Sequence, residues 1–359
     1  MAYNILGVVP GHNGSACVIS DGELVYFLEE ERLSRVKRDG NPFRVIHDIV
    51  NRYKIDEIVL AGVNDQSFYL PHTGEDLYQG MLRKYYPNTK FTWVGNKHHL
   101  THSFCSFYNS GFTKSISIIV DGNGSKFNLK VNGKFIKSDE VETVYIHEYP
   151  YNYTLYNSTQ LYHDLENNIT NKIYNINNIG VAKTYEAISQ YLGFGPFETG
   201  KTMGLSSYGK HNSNIPQLLK NKLIYNHYIN GDTQMAYVKK HVLDKYLAED
   251  IAWKIQNDSQ QIIGNYIEKA INETKITQVC CSGGYFLNCV ANYYLKKRFP
   301  NINFYFEPTS SDAGTAIGAA KGVWYQKTQN KTIKPQKTLY HGPKYSKKQL
   351  LKVIKKYTQ

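Results

Sequence analysis

The chain has 359 residues, enough for one large domain or two lobes with their own cores. Its hydrophobic fraction of 41% and charged fraction of 20% are ordinary for a globular protein. No stretch approaches the roughly 18 apolar residues of a membrane-spanning helix. The net charge of +12 would suit a phosphate-bearing substrate or RNA, but the lysines are scattered and the chain is rich in Lys, Asn, Ile and Tyr, so composition explains the charge better. We expect no membrane partner and do not favour nucleic acid.

The N-terminus lacks a basic region and soon becomes polar, so we expect no signal peptide and a cytoplasmic protein. The cysteines are odd in number and form no CxxC pair, which predicts buried free thiols rather than a zinc cluster. These cysteines are Cys17, Cys105, Cys280, Cys281 and Cys289.

The first part of the chain alternates apolar runs with Gly-containing turns. Strands at Asn4–Val9, Ser15–Ser20 and Glu23–Phe27, joined by GHNG and DG, predict an antiparallel meander. A helix at Pro42–Tyr53 and a strand at Glu57–Val63 follow.

A similar pattern begins again near the middle, with strands at Ser115–Val120, Phe127–Val131 and Thr143–His147 around the turn DGNGS. This weak duplication predicts two similar lobes that face each other across a ligand-binding cleft. The Asn-rich segment Leu165–Gly180 is typical of a loop or surface insertion. The later predicted elements are helices at Thr184–Leu192 and Ile251–Thr274, a strand at Thr277–Cys281, a helix from Tyr285, a strand at Asn303–Phe306 and helices at Thr315–Gln326 and Lys347–Tyr357.

The strongest local signal is KHHLTHSFCSFYNSGF, residues 97–112. On a helix, His98 and His102 project from one face, at the spacing by which two imidazoles bind one metal ion. His99 would point away and is not a predicted ligand. Histidines on helices are more often solvated or structural, so the pair alone does not establish a site.

Two carboxylates strengthen the prediction. Asp121 ends the strand SISIIV and opens a Gly-rich turn, where an acid typically faces a site. Asp312 precedes the last long helix, and a helix N-cap is the slightly favoured interpretation for it alone. Two histidines with two carboxylates suit iron, manganese or zinc.

Four glycine turns, GHNGSA, DGNGS, KTMGLSSYG and CSGGYFLN, lie where predicted strands or helices end. Most glycine turns are only turns, but four together favour a nucleotide-binding cleft, with Gly122 and Gly124 as candidate donor-binding residues. The charged segment LEEERLSRVKRDG is typical of a solvated helix or loop, although Lys37 and Arg38 could reach a phosphate in the cleft.

In order along the chain, GHNGSACVI, EEERLSRVKRDG, HHLTHSFCSFYNSGF, VDGNGS, GKTMGLSSYG, SGGYFLNCVAN and DAGTAIGAA resemble the NodU/CmcH carbamoyltransferases, from near Gly11 to near Ala320. The resemblance implies an α/β, actin-like (ASKHA, ribonuclease H-like) two-lobed fold, related to the tRNA threonylcarbamoyladenosine-forming enzymes. We expect lobe I over residues 1–114, lobe II over 115–311 and a closing helix over 312–331. Residues 332–359 would be a linker and the start of the YrdC-like domain that the family normally carries, unless a separate YrdC-like protein replaces that domain.

The resemblance implies an O-carbamoyltransferase that uses carbamoyl phosphate and ATP to form carbamoyl adenylate and then transfers the carbamoyl group to a hydroxyl of a small-molecule, sugar or nucleotide acceptor. Fe²⁺ is the expected metal, with Mn²⁺ or Zn²⁺ as alternatives. Two departures from the family pattern concern donor or acceptor contacts: Ser125 replaces an acid and Arg38 a histidine. The implied metal ligands are His98, His102, Asp121 and Asp312. His12 and Lys37 would lie near the reacting carbamoyl group, Gly283, Gly284 and Asn288 near the adenosine, and Lys201 and Gly204 near the phosphate or substrate. Glu198 is the candidate general base, with a surface acid as the equally favoured interpretation.

Three alternatives stay open. A tRNA threonylcarbamoyltransferase would fit the basic charge, but the histidine and GKTMGLSSYG segments match the hydroxyl-modifying branch better. A non-catalytic, nucleotide-binding actin-like module would be expected to have a damaged metal set. A sugar kinase would need Mg²⁺ with oxygen ligands and not two histidines on one helix.

Overall fold

The computed structural model describes residues 2–62, 77–131, 133–161, 169–170, 174–177, 180–219, 224–230 and 233–358, which form an α/β structure with two mixed sheets. Its first elements are β1 (Asn4–Val9), β2 (Ser15–Ser20), β3 (Glu23–Glu29), α1 (Glu31–Ser34), α2 (Phe43–Val50), β4 (Glu57–Leu60), α3 (Leu77–Tyr85), β5 (Lys90–Trp93) and α4 (His98–Ser110). The next are β6 (Lys114–Val120), β7 (Lys126–Val131), β8 (Lys134–Glu148), β9 (Asn152–Leu161), β10 (Ile169–Thr170), β11 (Tyr174–Asn177), α5 (Val181–Tyr191) and α6 (Thr199–Leu205). The last are β12 (Tyr225–Asn230), β13 (Thr233–Val238), α7 (Ala248–Thr274), β14 (Gln278–Ser282), α8 (Cys289–Arg298), β15 (Asn303–Phe306), α9 (Gly314–Thr328) and α10 (Lys347–Tyr357).

The two sheets repeat one pairing pattern. The first has the order β3-β2-β1-β4-β5, in which the meander pairs are antiparallel and β1, β4 and β5 are parallel. The second contains the run β9-β8-β6-β14-β15 with the same directions. The predicted meander and the duplication of the strand pattern are therefore present. In the second sheet, β7 pairs with the first half of β8, and β10 and β11 extend the edge beyond β9.

Three sequence predictions were wrong in detail. The strand predicted at Thr143–His147 is the second half of β8, whose first half is rich in charged residues and pairs with β7. The helix predicted from Tyr285 begins at Cys289, because Gly284–Leu287 form a 3₁₀ turn. Within the Asn-rich segment β10 and β11 are strands, while residues 165–168, 171–173 and 178–179 lie outside the described residues. Val63, at the end of a predicted strand, also lies outside them.

Two buried helices join the sheets. Helix α9 packs on β1, β2 and β4, helix α4 packs on β6, β8 and β14, and the two helices pack on each other. Their contact depends on glycine, because a Cβ on Gly318 would lie 1.8 Å from the carbonyl oxygen of Thr101. Every residue of α9 from Gly314 to Tyr325 is buried, as expected for a helix that is enclosed on all sides. In the described part of the chain, no helix is both long and apolar enough to cross a membrane.

Candidate metal centre

Three parts of the fold bring four side chains together. His98 and His102 lie one turn apart at the start of α4, Asp121 follows the last residue of β6, and Asp312 lies in the loop between β15 and α9. One ligand atom from each of the four residues lies within 4.8 Å of all the others, so the group could hold a metal ion. Asp312 is not a helix cap: the N-cap position of α9 is Ala313, and no side chain caps this helix.

The distances between the nitrogen and oxygen atoms of this group suit the binding of one metal ion. The two Nε2 atoms of His98 and His102 lie 3.2 Å apart, and His98 Nε2 lies 3.2 Å from Asp121 Oδ2. Asp312 Oδ1 lies 3.6 Å from each of these nitrogens. Atoms that bind one ion at about 2.1 Å stand roughly 3.0–3.4 Å apart in tetrahedral or octahedral geometry. The donor set therefore fits a divalent transition metal such as iron, manganese or zinc.

Neighbouring groups hold three of the four residues in place. The N–H of His98 donates to Ser125 Oγ at 3.0 Å, and His102 Nδ1 lies 3.3 Å from Ser282 Oγ. The N–H of Gly284 donates to Asp121 Oδ1 at 3.1 Å. The contacts of His102 and Asp121 fix a ring and a carboxylate in the orientations that a metal site needs. The contact of His98 is made by its backbone, and His98 Nδ1 has no hydrogen-bond partner among the described residues.

The close charges shift the pKa values of His98 and of the two carboxylates. Burial alone would lower the pKa of His98, but Asp312 and Asp121 outweigh it and hold that pKa well above its ordinary value. Burial and Asp312 would raise the pKa of Asp121, but the histidines outweigh both and lower it to about 2. His98 and His102 likewise outweigh burial and hold the pKa of Asp312 well below its usual value. Both carboxylates are therefore ionised at neutral pH, as metal ligands must be.

A cavity of about 1080 Å³ opens above this group and is lined from both sheets. Its lining includes these predicted site residues: His12, Lys37, Asp121, Gly122, Gly124, Gly284, Asn288 and Asp312. His12 Nδ1 lies 3.5 Å from Asp312 Oδ2. The other carboxylate oxygen, Asp312 Oδ1, faces His98 and His102. Asp312 thus contacts the histidine pair with one oxygen and His12 with the other.

Several predicted binding residues have a definite packing role. Gly283 has φ +99° and leaves no space for a side chain, because a Cβ there would lie 2.4 Å from the carbonyl oxygen of Val120. A Cβ on Gly124 would lie 2.5 Å from Glu140 Cγ. Asn288 caps α8 by accepting the N–H of Ala291 at 3.0 Å, and it donates to Gln256 Oε1 at 2.8 Å. These residues shape the cavity wall.

Glu198, Lys201 and Gly204 lie beside cavity residues in the sequence but are not part of the lining. Lys201 Nζ donates to Glu198 Oε2 at 2.8 Å and the N–H of Gly195 donates to the same oxygen at 2.9 Å. The lysine contact and the amide lower the pKa of Glu198, which makes this carboxylate a weaker base. No side chain lies within 4 Å of a Cβ built on Gly204.

Two further residues contribute to the site: Glu140, which was not predicted, and Arg38, which was predicted only as a residue that could reach a phosphate. Glu140, buried in β8, accepts the N–H of Ser125 at 2.9 Å and that of His99 at 3.2 Å, and burial raises its pKa to about 7. Arg38 donates to the carbonyl oxygens of Pro196 and Phe197, and so joins the two sides of the cavity mouth. Glu140 lies in a charged stretch without an apolar pattern, and the contact of Arg38 spans more than 150 positions, so no local signal could reveal either. His99 lies outside the four-residue group, with Nδ1 2.7 Å from Thr143 Oγ1.

The fold and the site define an actin-like α/β protein with a two-histidine, two-aspartate group beneath its cleft. The structure is similar to full-length HypF in its phosphate- and nucleotide-bound form, with a TM-score of 0.51, 13% identity, and coverage of 90% of this chain and 55% of that one. The HypF of T. kodakarensis gives a TM-score of 0.51, 11% identity, and coverage of 92% and 48%. At these identities the likeness concerns the fold alone, and it confirms the predicted fold class.

Residues 77–321 match the family model described as carbamoyltransferase N-terminus, and the chain belongs to that family. Uncharacterized protein MJ1051 of Methanocaldococcus jannaschii is 27% identical over an alignment of 329 residues, with coverage of 88% of this chain and 56% of that protein. The nodulation protein NolNO of Sinorhizobium fredii is 23% identical, with coverage of 92% and 49%. The chain thus spans about half the length of these relatives. The predicted family is therefore confirmed.

Proposed function

We propose that this chain transfers a carbamoyl group from carbamoyl adenylate to a hydroxyl of a small-molecule, sugar or nucleotide acceptor. The carrying observation is that His98, His102, Asp121 and Asp312 converge beneath a cavity in a chain of the carbamoyltransferase family. The donor would be made from carbamoyl phosphate and ATP by a YrdC-like domain or a separate YrdC-like protein. A site of this kind, deep in a cleft between two sheets, suits an activated acyl donor that must be kept from water.

The four residues would hold Fe²⁺, or alternatively Mn²⁺ or Zn²⁺, which supplies Lewis-acid polarisation of a bound carbonyl oxygen. The acceptor hydroxyl oxygen forms a bond to the carbamoyl carbon, the bond from that carbon to the phosphate oxygen breaks, and AMP leaves. The turn residues Gly122 and Gly284 border the space for the donor. Backbone N–H groups in such turns suit phosphate oxygens.

His12 is better placed than Glu198 to act as the general base. With its Nδ1–H donated towards Asp312 Oδ2, 3.5 Å away, its Nε2 is free to accept the proton of the acceptor hydroxyl. Glu198 is engaged by Lys201 and lies outside the cavity lining. Lys37 lines the cavity and would stabilise negative charge that develops on the donor.

The test begins with metal content. The protein is purified anaerobically, and bound metal is measured by elemental analysis in the parent, in His102→Ala, and in His47→Ala as a control on the exposed face of α2. Carbamoyl adenylate is then generated from carbamoyl phosphate and ATP by a YrdC-like protein, and is offered to sugars, nucleosides and tRNA. Products are identified by the mass of an added carbamoyl group.

We expect near-stoichiometric metal and carbamoylated hydroxyl product with the parent and with His47→Ala, and neither with His102→Ala. A parent that binds no metal, or a His102→Ala variant as active as the parent, would overturn the proposal. Product on tRNA alone would replace the small-molecule or sugar acceptor with an RNA acceptor.

A further inference from the structure

A second polar group is buried beside the metal centre and takes no part in the proposed reaction. It consists of Asn109 on α4, Glu307 directly after β15, and Lys321 in the middle of α9, and we call it the support network. The exposed fractions of these residues are only 1%, 2% and 1%. A buried lysine and a buried glutamate are costly, and apolar residues of similar size often serve stability as well or better. Stability alone is therefore a poor reason for this composition.

The network is closed by direct hydrogen bonds. Lys321 Nζ donates to Asn109 Oδ1 at 2.8 Å, and Asn109 Nδ2 donates to Glu307 Oε2 at 3.0 Å. Glu307 Oε1 accepts the N–H of Thr309 at 3.0 Å. Lys321 also donates to the carbonyl oxygen of Lys334 at 3.3 Å. The network thus joins α4, α9 and the start of the loop that carries Asp312.

Helix α4 connects the network to the metal centre. Asn109 follows His98 and His102 at helical spacing, so the three side chains project from one face of α4. Between them, Cys105 Sγ would lie 3.3 Å from a Cβ on Gly314, the first residue of α9. One rigid helix therefore presents the histidines at its start and the anchor for the Asp312 loop near its end.

The loop between Glu307 and Asp312 is held along its length. The N–H of Glu307 donates to the carbonyl oxygen of Cys281 at 3.0 Å, and Ser310 exchanges two hydrogen bonds with Gly283. Ser15 Oγ donates to the carbonyl oxygen of Ala313 at 2.9 Å. The side chain of Glu307 fixes the start of this loop by a contact to Thr309 and a contact to α4.

We propose that Glu307 is a positioning residue that, through Asn109 and Lys321, sets the position of Asp312 relative to His98 and His102. This inference rests on the metal site proposed above. Loss of a group that contacts a metal ligand directly typically costs about 10–100-fold in metal affinity, and Glu307 acts one step further out, through Thr309 and Asn109. The network therefore serves the geometry of the site rather than the stability of the core.

The experiment measures Mn²⁺ affinity by titration calorimetry and the free energy of unfolding in urea, on the same full-length preparations. Glu307→Gln keeps the size of the side chain but turns an NH₂ group towards Asn109 or Thr309. The matched control is Glu57→Gln, since Glu57 is buried to the same degree as Glu307. Glu57 lies at the start of β4, outside the support network, and accepts a hydrogen bond from Lys327. We expect Glu307→Gln to lower Mn²⁺ affinity by about tenfold, the lower end of the range for direct contacts to a ligand. Glu57→Gln should lose stability yet bind Mn²⁺ within about twofold of the parent.

Lys321→Met is the second variant and covers the case in which Glu307→Gln does not fold. It removes the buried charge and leaves Asn109 Oδ1 without its donor, so it should lose some stability, and it should bind Mn²⁺ several-fold more weakly in the folded state. Affinity within twofold of the parent in the folded variants would overturn the positioning role and leave the metal site intact. A parent that does not bind Mn²⁺, Fe²⁺ or Zn²⁺ would instead overturn the metal site, and the positioning role with it.

Discussion

The two buried polar groups on one face of α4 differ in how their atoms meet. In the metal-centre group, like atoms face each other: the Nε2 atoms of His98 and His102 are 3.2 Å apart, with carboxylate oxygens turned to the same space. In the support network, each donor meets an acceptor, from Lys321 through Asn109 to Glu307. Side chains whose metal-binding atoms converge on one point beside a cavity indicate a site for a cation. Buried side chains whose hydrogen-bond donors and acceptors are paired with one another indicate a structural role.

The comparison also shows how one helix serves both purposes. The start of α4 carries the ligands at the floor of the cavity, and its later turns lie between the sheets against α9. The positions of metal-binding side chains are set by the rigidity of the residues packed around them. A buried helix whose polar side chains are hydrogen-bonded provides that rigidity.

The largest expected effect comes from removing one converging carboxylate. Asp312→Asn keeps the shape of the side chain but removes its charge, and we expect metal affinity to fall about 100- to 1,000-fold. A four-ligand zinc site is worth about 10–16 kcal/mol, so one ligand is worth roughly 2.5–4 kcal/mol. Competition with a chelator measures the affinity. Asp244→Asn, at an exposed aspartate, is the control.

In the same samples, Mn²⁺ should raise the midpoint of thermal unfolding of the parent and of Asp244→Asn but not of Asp312→Asn, since a ligand that binds only the folded state stabilises it. Equal metal affinity in the parent and in Asp312→Asn would mean that the metal-centre group does not differ in this respect from the support network.

A smaller, pH-dependent effect tests the closed network. Burial lowers the pKa of Lys321 to about 8 from an ordinary 10.5. Below pH 8 both the folded and unfolded chains carry the charge, and the folded chain bears the whole cost of burying it. Between pH 8 and 10.5 the folded chain loses this proton before the unfolded chain does, so the parent regains stability relative to Lys321→Met as pH rises.

Urea unfolding of the parent and Lys321→Met at pH 8 and at pH 10.5 measures this difference. We expect it to change by about 1–3 kcal/mol. Lys114→Met removes an exposed lysine and should show no such change. A pH-independent difference for Lys321→Met would mean that water reaches the network.

The smallest effect concerns thiol access. Cys289 is exposed, whereas Cys105, which contacts the support network through Asn109 at 3.5 Å, is buried. Burial raises the pKa of the Cys105 thiol well above its ordinary value, so it should be inert in the folded protein. One thiol per chain should react rapidly with a chromogenic disulfide reagent, and none in Cys289→Ser. Rapid labelling of Cys105, located by peptide mapping, would show that the network opens.

Much of the fold could be predicted from local sequence. The meander at Asn4–Glu29 and the strands β6, β14 and β15 follow from apolar runs bounded by glycine turns, because hydrophobic alternation and turn chemistry act over a few residues. Strands without an apolar pattern were not predicted. The polar half of β8 and the edge strands β10 and β11 depend on partners that local sequence does not specify.

Of the candidate site, the sequence by itself determined the HxxxH spacing, which places His98 and His102 on one helix face, and the acid at the end of β6. Only the tertiary structure decided between the two interpretations of Asp312, since its contact with His98 spans more than 200 positions and its side chain does not cap α9. The same holds for Glu140, Glu307 and Lys321. A buried charge is meaningful only through its partners, and the packing of distant segments, not the local pattern, brings those partners together.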